Sequence, residues 1–393
     1  MPDVFLLALL VVAVAIGWWL GRREGKRGAR TAAPPALARD YFVGLNYLLN
    51  DQQDKAIETF IGALEVNSET IETHLALGNL FRTRGEADRA LKIHQNLLAR
   101  PTLTPGQSDR VQLELSRDFL TLGLLDRAER LLHTLLRDSQ DDALRDTARR
   151  LLADLLEREG EWQAALDVAT PRLVRQHEDI RRAAAHWLCE LAEQERHTAS
   201  PVLARRHLRQ ALATDPACVR ANLVLAAMEH DTGHYLAAIR CLRRIPDQDP
   251  AFTPVMLAPL VQAYRLLNDD PGLIQCLQEL HAQAPGTGVT LQLAEALRHY
   301  HGHDREAQAL VIEQLDHAPS LSAVHYLLTL YQHSSDEQAA HLALVQRHTQ
   351  TLVKALPHYR CRRCGFAGER LHWQCPRCRS WGTTQPIAGV EDG

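Results

Sequence analysis

Gly44-Leu45-Asn46-Tyr47, followed by Ala56, Phe60 and Ala63, returns as Gly78-Asn79-Leu80-Phe81 followed by Ala90, so that both Gly44 to Gly78 and Ala56 to Ala90 are 34 residues apart. A period of that length in helix-forming sequence marks a stacked pair of helices, since neither helix can bury its apolar stripe alone. A small residue at the eighth position of such a unit lets its two helices cross closely, and an aromatic three residues on fills the space between them. Small residues in the second helix admit the next pair. Gly85 makes the turn between the helices, and a turn glycine five residues ahead of a small residue recurs at Gly123 and Ala128, Gly160 and Ala165, Gly233 and Ala238, and Gly302 and Ala307. The register therefore outlasts the other consensus positions. Pro216 and Pro250, also 34 apart and each preceded by Asp, predict an Asp N-cap with Pro at the first helical position.

These are tetratricopeptide positions, and about eight or nine repeats fit between residues 40 and 356, with the stretch from Phe252 to Glu279 matching poorly. Stacking them predicts a mostly α fold, a tetratricopeptide-repeat superhelix whose concave face is lined by the first helix of each pair. Glu72, Asn79 and Arg82 fall at groove positions of the second repeat and are candidate partner-binding residues. The composition agrees: of 393 residues 46% are apolar but only 5% aromatic, which argues against an all-β sandwich and against a disordered chain. The net charge of -4 conceals three regions. Residues 1–39 carry six basic against two acidic side chains, residues 357–393 six against three, and the middle 32 against 43.

Val4 to Leu20 (VFLLALLVVAVAIGWWL) has no charge over 17 residues, enough as a helix to cross about 26 Å. Asp3 precedes it, whereas Trp18, Trp19 and Gly21-Arg22-Arg23 follow it, which is the wrong arrangement for a cleaved leader and the right one for a retained anchor. Residues 1–21 are thus expected to be a transmembrane helix, and 22–39 a basic linker. Arg22, Arg23, Lys26, Arg27 and Arg30 then place the N-terminus outside and the bulk of the chain in the cytoplasm.

At the other end, Cys361-Arg362-Arg363-Cys364 and Cys375-Pro376-Arg377-Cys378 are two C-x2-C pairs separated by ten residues. Two residues between thiolates let one tight turn present both sulfurs to one ion, and two such turns complete a tetrahedral site for one zinc or iron ion. Gly365 suits the turn after the first pair, and Arg379 makes the second less ideal. Residues 357–393 are too few for a core of their own, so metal binding should supply much of their folding free energy. Some of the ribbon's aromatics, Trp373, Tyr359, Phe366 and Trp381, are expected to pack against the last helices of the repeats. Its arginines are expected to meet the acidic body rather than nucleic acid. The other four cysteines, Cys189, Cys218, Cys241 and Cys276, read as buried free thiols of a reducing compartment. No phosphate-binding loop, H-E-x-x-H or G-x-S-x-G motif nominates a catalytic residue, and His299-Tyr300-His301-Gly302-His303 reads as a solvated turn.

The anchor ending Gly21-Arg22-Arg23, the segments Leu77-Gly78-Asn79-Leu80-Phe81-Arg82 and Ile93-His94-Gln95, and the knuckles Tyr359-Arg360-Cys361 and Cys375-Pro376-Arg377-Cys378-Arg379 together resemble the lipopolysaccharide assembly protein B family of Gram-negative bacteria. The resemblance implies a non-enzymatic adaptor in the inner membrane with its N-terminus periplasmic. It implies that the adaptor promotes proteolysis of UDP-3-acyl-N-acetylglucosamine deacetylase by the membrane-bound AAA+ zinc protease, answers to an inner-membrane lipopolysaccharide-sensing protein, and gathers biosynthetic enzymes. It implies a rubredoxin-like, zinc-ribbon domain at Cys361, Cys364, Cys375 and Cys378 whose metal is needed for function. The expected partners are thus those proteins and the lipid bilayer, not nucleic acid, with a homo-oligomer left open.

Overall fold

The computed structural model describes residues 71–101, 103–197, 200–283, 285–301, 304–331 and 339–387, with Val43, Asn46, Tyr47, Lys55 and Thr59 singly. The predicted anchor, the basic linker, most of the first repeat and the turn at Gly302 lie outside the described residues. The chain divides into two compact units, residues 1–145 and 146–393.

In the first unit, α1 (Ile71–Thr83) and α2 (Ala87–Leu98) form one hairpin and α3 (Pro105–Thr121) and α4 (Leu125–Asp138) the next. Ile71, Phe81, Ala90, Leu97 and Val111 make a shared apolar core across α1, α2 and α3. Gly78 shows why the eighth position must be small. A Cβ there would lie 2.3 Å from Nε2 of His94, the buried histidine on α2 that crosses it. The His94 ring is held in turn by Asp118 of α3.

The inter-helix glycines behave as the register demands. Gly85, Gly123, Gly160 and Gly233 all take left-handed φ, from 73° to 85°, where a side chain costs energy. After each, the next N–H donates to the carbonyl five residues back, as Glu86 does to Phe81 at 2.9 Å and Glu161 to Leu156 at 2.9 Å, closing the helix end. Ala90, Ala128, Ala165 and Ala238, five residues beyond, are fully or almost fully buried.

The second unit opens within α5 (Asp142–Glu159) and continues through α6 (Trp162–Val168), α7 (Pro171–Gln176), α8 (Glu178–His197), α9 (Pro201–Thr214), α10 (Val219–Asp231), α11 (Tyr235–Leu242) and the short α12 (Ile245–Gln248). A 3-10 turn at Pro250–Phe252 leads into α13 (Thr253–Leu267), followed by α14 (Asp270–Gln283), α15 (Thr287–His301), α16 (Asp304–His317), α17 (Leu321–Tyr331) and α18 (Ala339–Ala355). The poorly matching stretch is a hairpin after all. Asn268 takes the turn position with φ 54°, and Leu273, five residues on, is 3% exposed where other repeats use alanine. The Asp-Pro expectation holds in part. Asp249 caps the 3-10 turn through Ala251 N–H, but Asp215 caps only a turn at Ala217, and α10 starts three residues after Pro216. Proline at 216 fits a tight turn as well as a first helical turn, so the dipeptide alone cannot distinguish them.

The chain ends in a three-stranded antiparallel sheet of order β2-β1-β3, with β1 Tyr359–Cys361, β2 Ala367–Gly368 and β3 Thr384–Pro386. Cys361 pairs with Thr384 and Arg360 with Ala367.

Candidate metal centre and its seat on the repeats

Each C-x2-C pair forms the same turn. Cys361 N–H donates to the Phe366 carbonyl at 2.7 Å and Gly365 N–H to the Cys361 carbonyl at 2.9 Å; Cys375 N–H donates to Ser380 at 3.0 Å and Arg379 N–H to Cys375 at 2.8 Å. Gly365 has φ 73° and Arg379, its counterpart, φ 56°. The second knuckle therefore keeps the left-handed turn without glycine, at a cost of about 1–2 kcal/mol. Its side chain offsets part of that cost, because Nη2 of Arg379 reaches Oε1 of Glu157 at 3.5 Å.

The four thiols converge, all Sγ atoms lying within 4.8 Å of one another. Cys361 and Cys378 are 3.7 Å apart and Cys364 and Cys375 3.6 Å, whereas the edge of a tetrahedron with metal–sulfur bonds near 2.3 Å is about 3.8 Å. The donor set fits one four-thiolate ion, with Cys361, Cys364, Cys375 and Cys378 holding it. Such an ion supplies structural cross-linking and leaves no open coordination position. Burial opposes ionisation of Cys361, yet the Thr383 hydroxyl and the N–H groups of Cys364 and Arg363 bring its pKa down to about 6; burial instead pushes Cys375 up to about 11. Among the described residues no other His, Cys, Asp or Glu group is close enough to hold an ion.

The ribbon is seated on the first helices of the middle repeats, and Glu157 of α5 is the anchor of that seat. Its carboxylate is 8% exposed and accepts from four donors: Trp187 Nε1 at 2.8 Å, Trp381 Nε1 at 2.7 Å, Gln374 Nε2 at 2.5 Å, and Arg379. Trp381 also stacks on His186 of α8, with centroids 5.0 Å apart, and Trp373 stacks on Phe252 at 5.6 Å. At Gly382 a Cβ would lie 3.2 Å from both Arg182 and His186. The expectation that some of the ribbon's aromatics pack on the last helices holds for Tyr359 but not for the tryptophans. Trp381 is held by Glu157 of α5 and the His186 ring of α8, and Trp373 by the Phe252 ring, where a buried acceptor meets the Trp381 N–H and flat faces meet both indoles. Phe366 instead packs edge-on against His372 within the ribbon. Tyr359 does meet the last helices, lining a cavity of about 640 Å³ with Tyr326 and Val353. Of the ribbon's arginines, Arg379 is the one with an ion-pair partner among the described residues.

His186 carries a pH dependence. It is 3% exposed, Nδ1 has no hydrogen-bond partner, and burial first, then the charges of Arg220 and Arg182, lower its pKa to about 3. Unfolded, it titrates near 6.5. Between those values the unfolded chain binds a proton that the folded chain refuses, so stability is full above pH 6.5 and falls as pH drops toward 3, by up to about 1.4 kcal/mol per unit. Melting curves of the wild type should therefore shift down more steeply than those of His186→Phe between pH 6.5 and 5. Parallel shifts would show that folding leaves the His186 pKa at its unfolded value.

The proposed groove residues sit in the first unit. Glu72 is exposed and paired with Arg110. Arg82 is only 14% exposed and tied down, donating to Asp118 at 2.7 Å, Glu114 at 2.6 Å and Asn79 at 2.5 Å. Arg82 and Asn79 thus hold α1 to α3 through one network. Sequence reading missed Glu157, His186 and Phe252; no local pattern distinguishes them from ordinary helix residues. Cys189, Cys218 and Cys276 are buried thiols as expected, and Cys241 is partly buried.

A four-thiolate knuckle pair folded onto tetratricopeptide hairpins defines a repeat protein with a structural metal ribbon. Family profiles agree, with the rubredoxin metal binding domain matching residues 359–386 and the tetratricopeptide repeat matching 113–170 and 203–251. Lipopolysaccharide assembly protein B of Escherichia coli K12 is 35% identical over 391 residues, covering 98% of each chain, and that of Haemophilus influenzae Rd is 34% identical over 397 residues with the same coverage. Among solved structures, a tetratricopeptide repeat protein from Parabacteroides merdae is similar at TM-score 0.35 and 14% identity, covering 67% of this chain and 99% of its own. The chain belongs to the lipopolysaccharide assembly protein B family.

Proposed function

We propose that this chain is a non-enzymatic adaptor of lipopolysaccharide assembly, tethered to the inner membrane by residues 1–21 with its N-terminus periplasmic and its repeats cytoplasmic. The observation that carries this reading is the 35% identity maintained across 98% of a protein named for lipopolysaccharide assembly. Tetratricopeptide hairpins present extended surfaces suited to holding other proteins. Among the described residues no helix is long and apolar enough to cross a membrane, and the run from Val4 to Leu20 that would do so lies outside them.

In this reading the repeats and ribbon bring the lipid A pathway deacetylase to the membrane-bound AAA+ zinc protease. An inner-membrane lipopolysaccharide-sensing protein sets how often that happens, and the same surfaces gather biosynthetic enzymes. Deleting residues 1–21, or replacing Cys361 and Cys364 by Ser, should lengthen the deacetylase half-life severalfold in a pulse-chase measurement. Unchanged turnover in both variants would remove the proteolytic role.

A further inference from the structure

We propose that the seam between the ribbon and α8 is a binding site for a phosphate group, made only when the ribbon is seated. A cavity of about 350 Å³ lies there, with walls from both modules. Arg181 and Arg182 approach from the start of α8, and Arg362 and Arg363 from the first knuckle. Neither the Arg181 nor the Arg362 guanidinium has a hydrogen-bond or ion-pair partner among the described residues. Arg182 is paired with Glu178, and Arg363 donates through Nη1 to the Ser380 hydroxyl at 2.6 Å, leaving its remaining donors unassigned.

Three carboxylates also reach this cavity, and each is already engaged. Glu178 takes Arg182, Asp215 accepts from Ala217 N–H at 3.2 Å, and Asp249 accepts from Ala251 N–H and from the Gln385 amide. The unsatisfied groups are therefore cationic donors. A second, independent sign is His186, which forms part of the same wall, is 3% exposed, and has an Nδ1 without a partner. Burial is the main reason that ring's pKa is low, and the charges of Arg220 and Arg182 lower it further, in keeping with a positive local field.

Guanidinium forks match the spread oxygens of a phosphate, and their charge-assisted hydrogen bonds strengthen where water is partly excluded. The volume is at the small end for ligand sites, sized for one phosphate and its substituent rather than for a nucleic-acid backbone. A ligand held by Arg181 and Arg362 together touches both modules. It would stabilise the seated ribbon by mass action, because the undocked ribbon offers only half the site.

The test uses the metal-loaded full chain in detergent, titrated with inorganic phosphate and, separately, with soluble dihexanoyl phosphatidic acid. Ionic strength is held constant with sodium chloride, and binding is read by thermal shift and phosphorus NMR. Both probes are expected to bind saturably. The Arg181→Ala/Arg362→Ala double variant should bind at least about tenfold more weakly, the equivalent of one charge-assisted hydrogen bond. Arg370→Ala, a change at an exposed ribbon arginine outside the cavity, should leave binding unchanged. Tighter binding of the phosphatidic acid assigns the site to a lipid headgroup, and tighter binding of inorganic phosphate to a free phosphate. Arg181→Ala alone, on a helix surface away from the metal ligands, guards against a misfolded knuckle and should weaken binding in the same direction. The proposal is overturned if chloride alone reproduces the shift, or if the Arg181 variants bind as the wild type does. Because the readout is binding rather than deacetylase turnover, it is independent of the adaptor role.

Discussion

Replacing Cys361 and Cys364 by Ser is expected to abolish metal binding and unfold residues 357–387 while leaving the helices in place. Among the described residues of the ribbon the buried ones are Cys361, Cys375, Trp381, Thr384 and Gln385, two of which belong to the four-thiol set. No set of large aliphatic side chains stands behind them, so the ion must supply most of the stability, on the order of 10–16 kcal/mol for a structural zinc at neutral pH. Without it Trp373 and Trp381 leave Phe252 and His186. Metal content by mass spectrometry should fall from one ion per chain to near zero, and tryptophan emission should shift to longer wavelength. Far-UV circular dichroism should change little, since the described residues of the ribbon contribute no helix. Retention of a stoichiometric ion in the double variant would show that the sulfurs do not form the site. In the wild type, strong visible absorbance bleached by reductant identifies iron, and its lack with a full complement of metal identifies zinc.

Glu157→Ala is expected to release the ribbon with its metal still bound. The carboxylate is 8% exposed, and its loss strands the indole N–H of buried Trp187 and of Trp381 together with the Gln374 amide. Each unpaired buried donor costs about 1–3 kcal/mol, and removing one side of a buried charged network typically costs about 3–5 kcal/mol in total. For a unit of this size that corresponds to a fall in melting temperature of roughly 6–20 °C. Limited proteolysis should then cut between α18 and β1, near residues 356–358, in the variant but not in the wild type. Glu157→Gln keeps one acceptor oxygen and should lie between the two. A melting temperature within 1 °C of wild type for Glu157→Ala would mean that the stacks of Trp381 on His186 and Trp373 on Phe252 suffice. That outcome would leave the four hydrogen bonds without energetic weight.

The repeat register was legible because its determinants are local. Gly78, Gly85 and Ala90 act within one hairpin, and the turn glycine has to be left-handed wherever the hairpin occurs. Even the stretch from Phe252 to Glu279 kept the turn, but with Asn268 in place of glycine and Leu273 in place of a small residue, so a glycine-and-alanine template passes over it. The knuckles were legible for the same reason: the ligand spacing is set by one turn, and Arg379 only substitutes side-chain contact for the conformational freedom of glycine. His94 and Asp118, by contrast, look like ordinary charged surface residues in sequence. They become a buried pair only because Gly78 lets α2 approach α1 and α3 then closes over the ring.

By itself, the amino-acid sequence determined a tetratricopeptide array, a four-cysteine ribbon of fixed ligand set, and a chain whose charge is divided among an apolar-headed basic end, an acidic body and a basic ribbon. Tertiary structure alone decided where the ribbon sits. Its seat joins Gln374, Arg379 and Trp381 to Glu157 across 217, 222 and 224 residues of chain. A helix glutamate flanked by Leu156 and Arg158 carries no mark of that destiny in its neighbours. Desolvation and the convergence of four donors make it the pivot of the molecule's second unit, and both arise only when distant segments pack together.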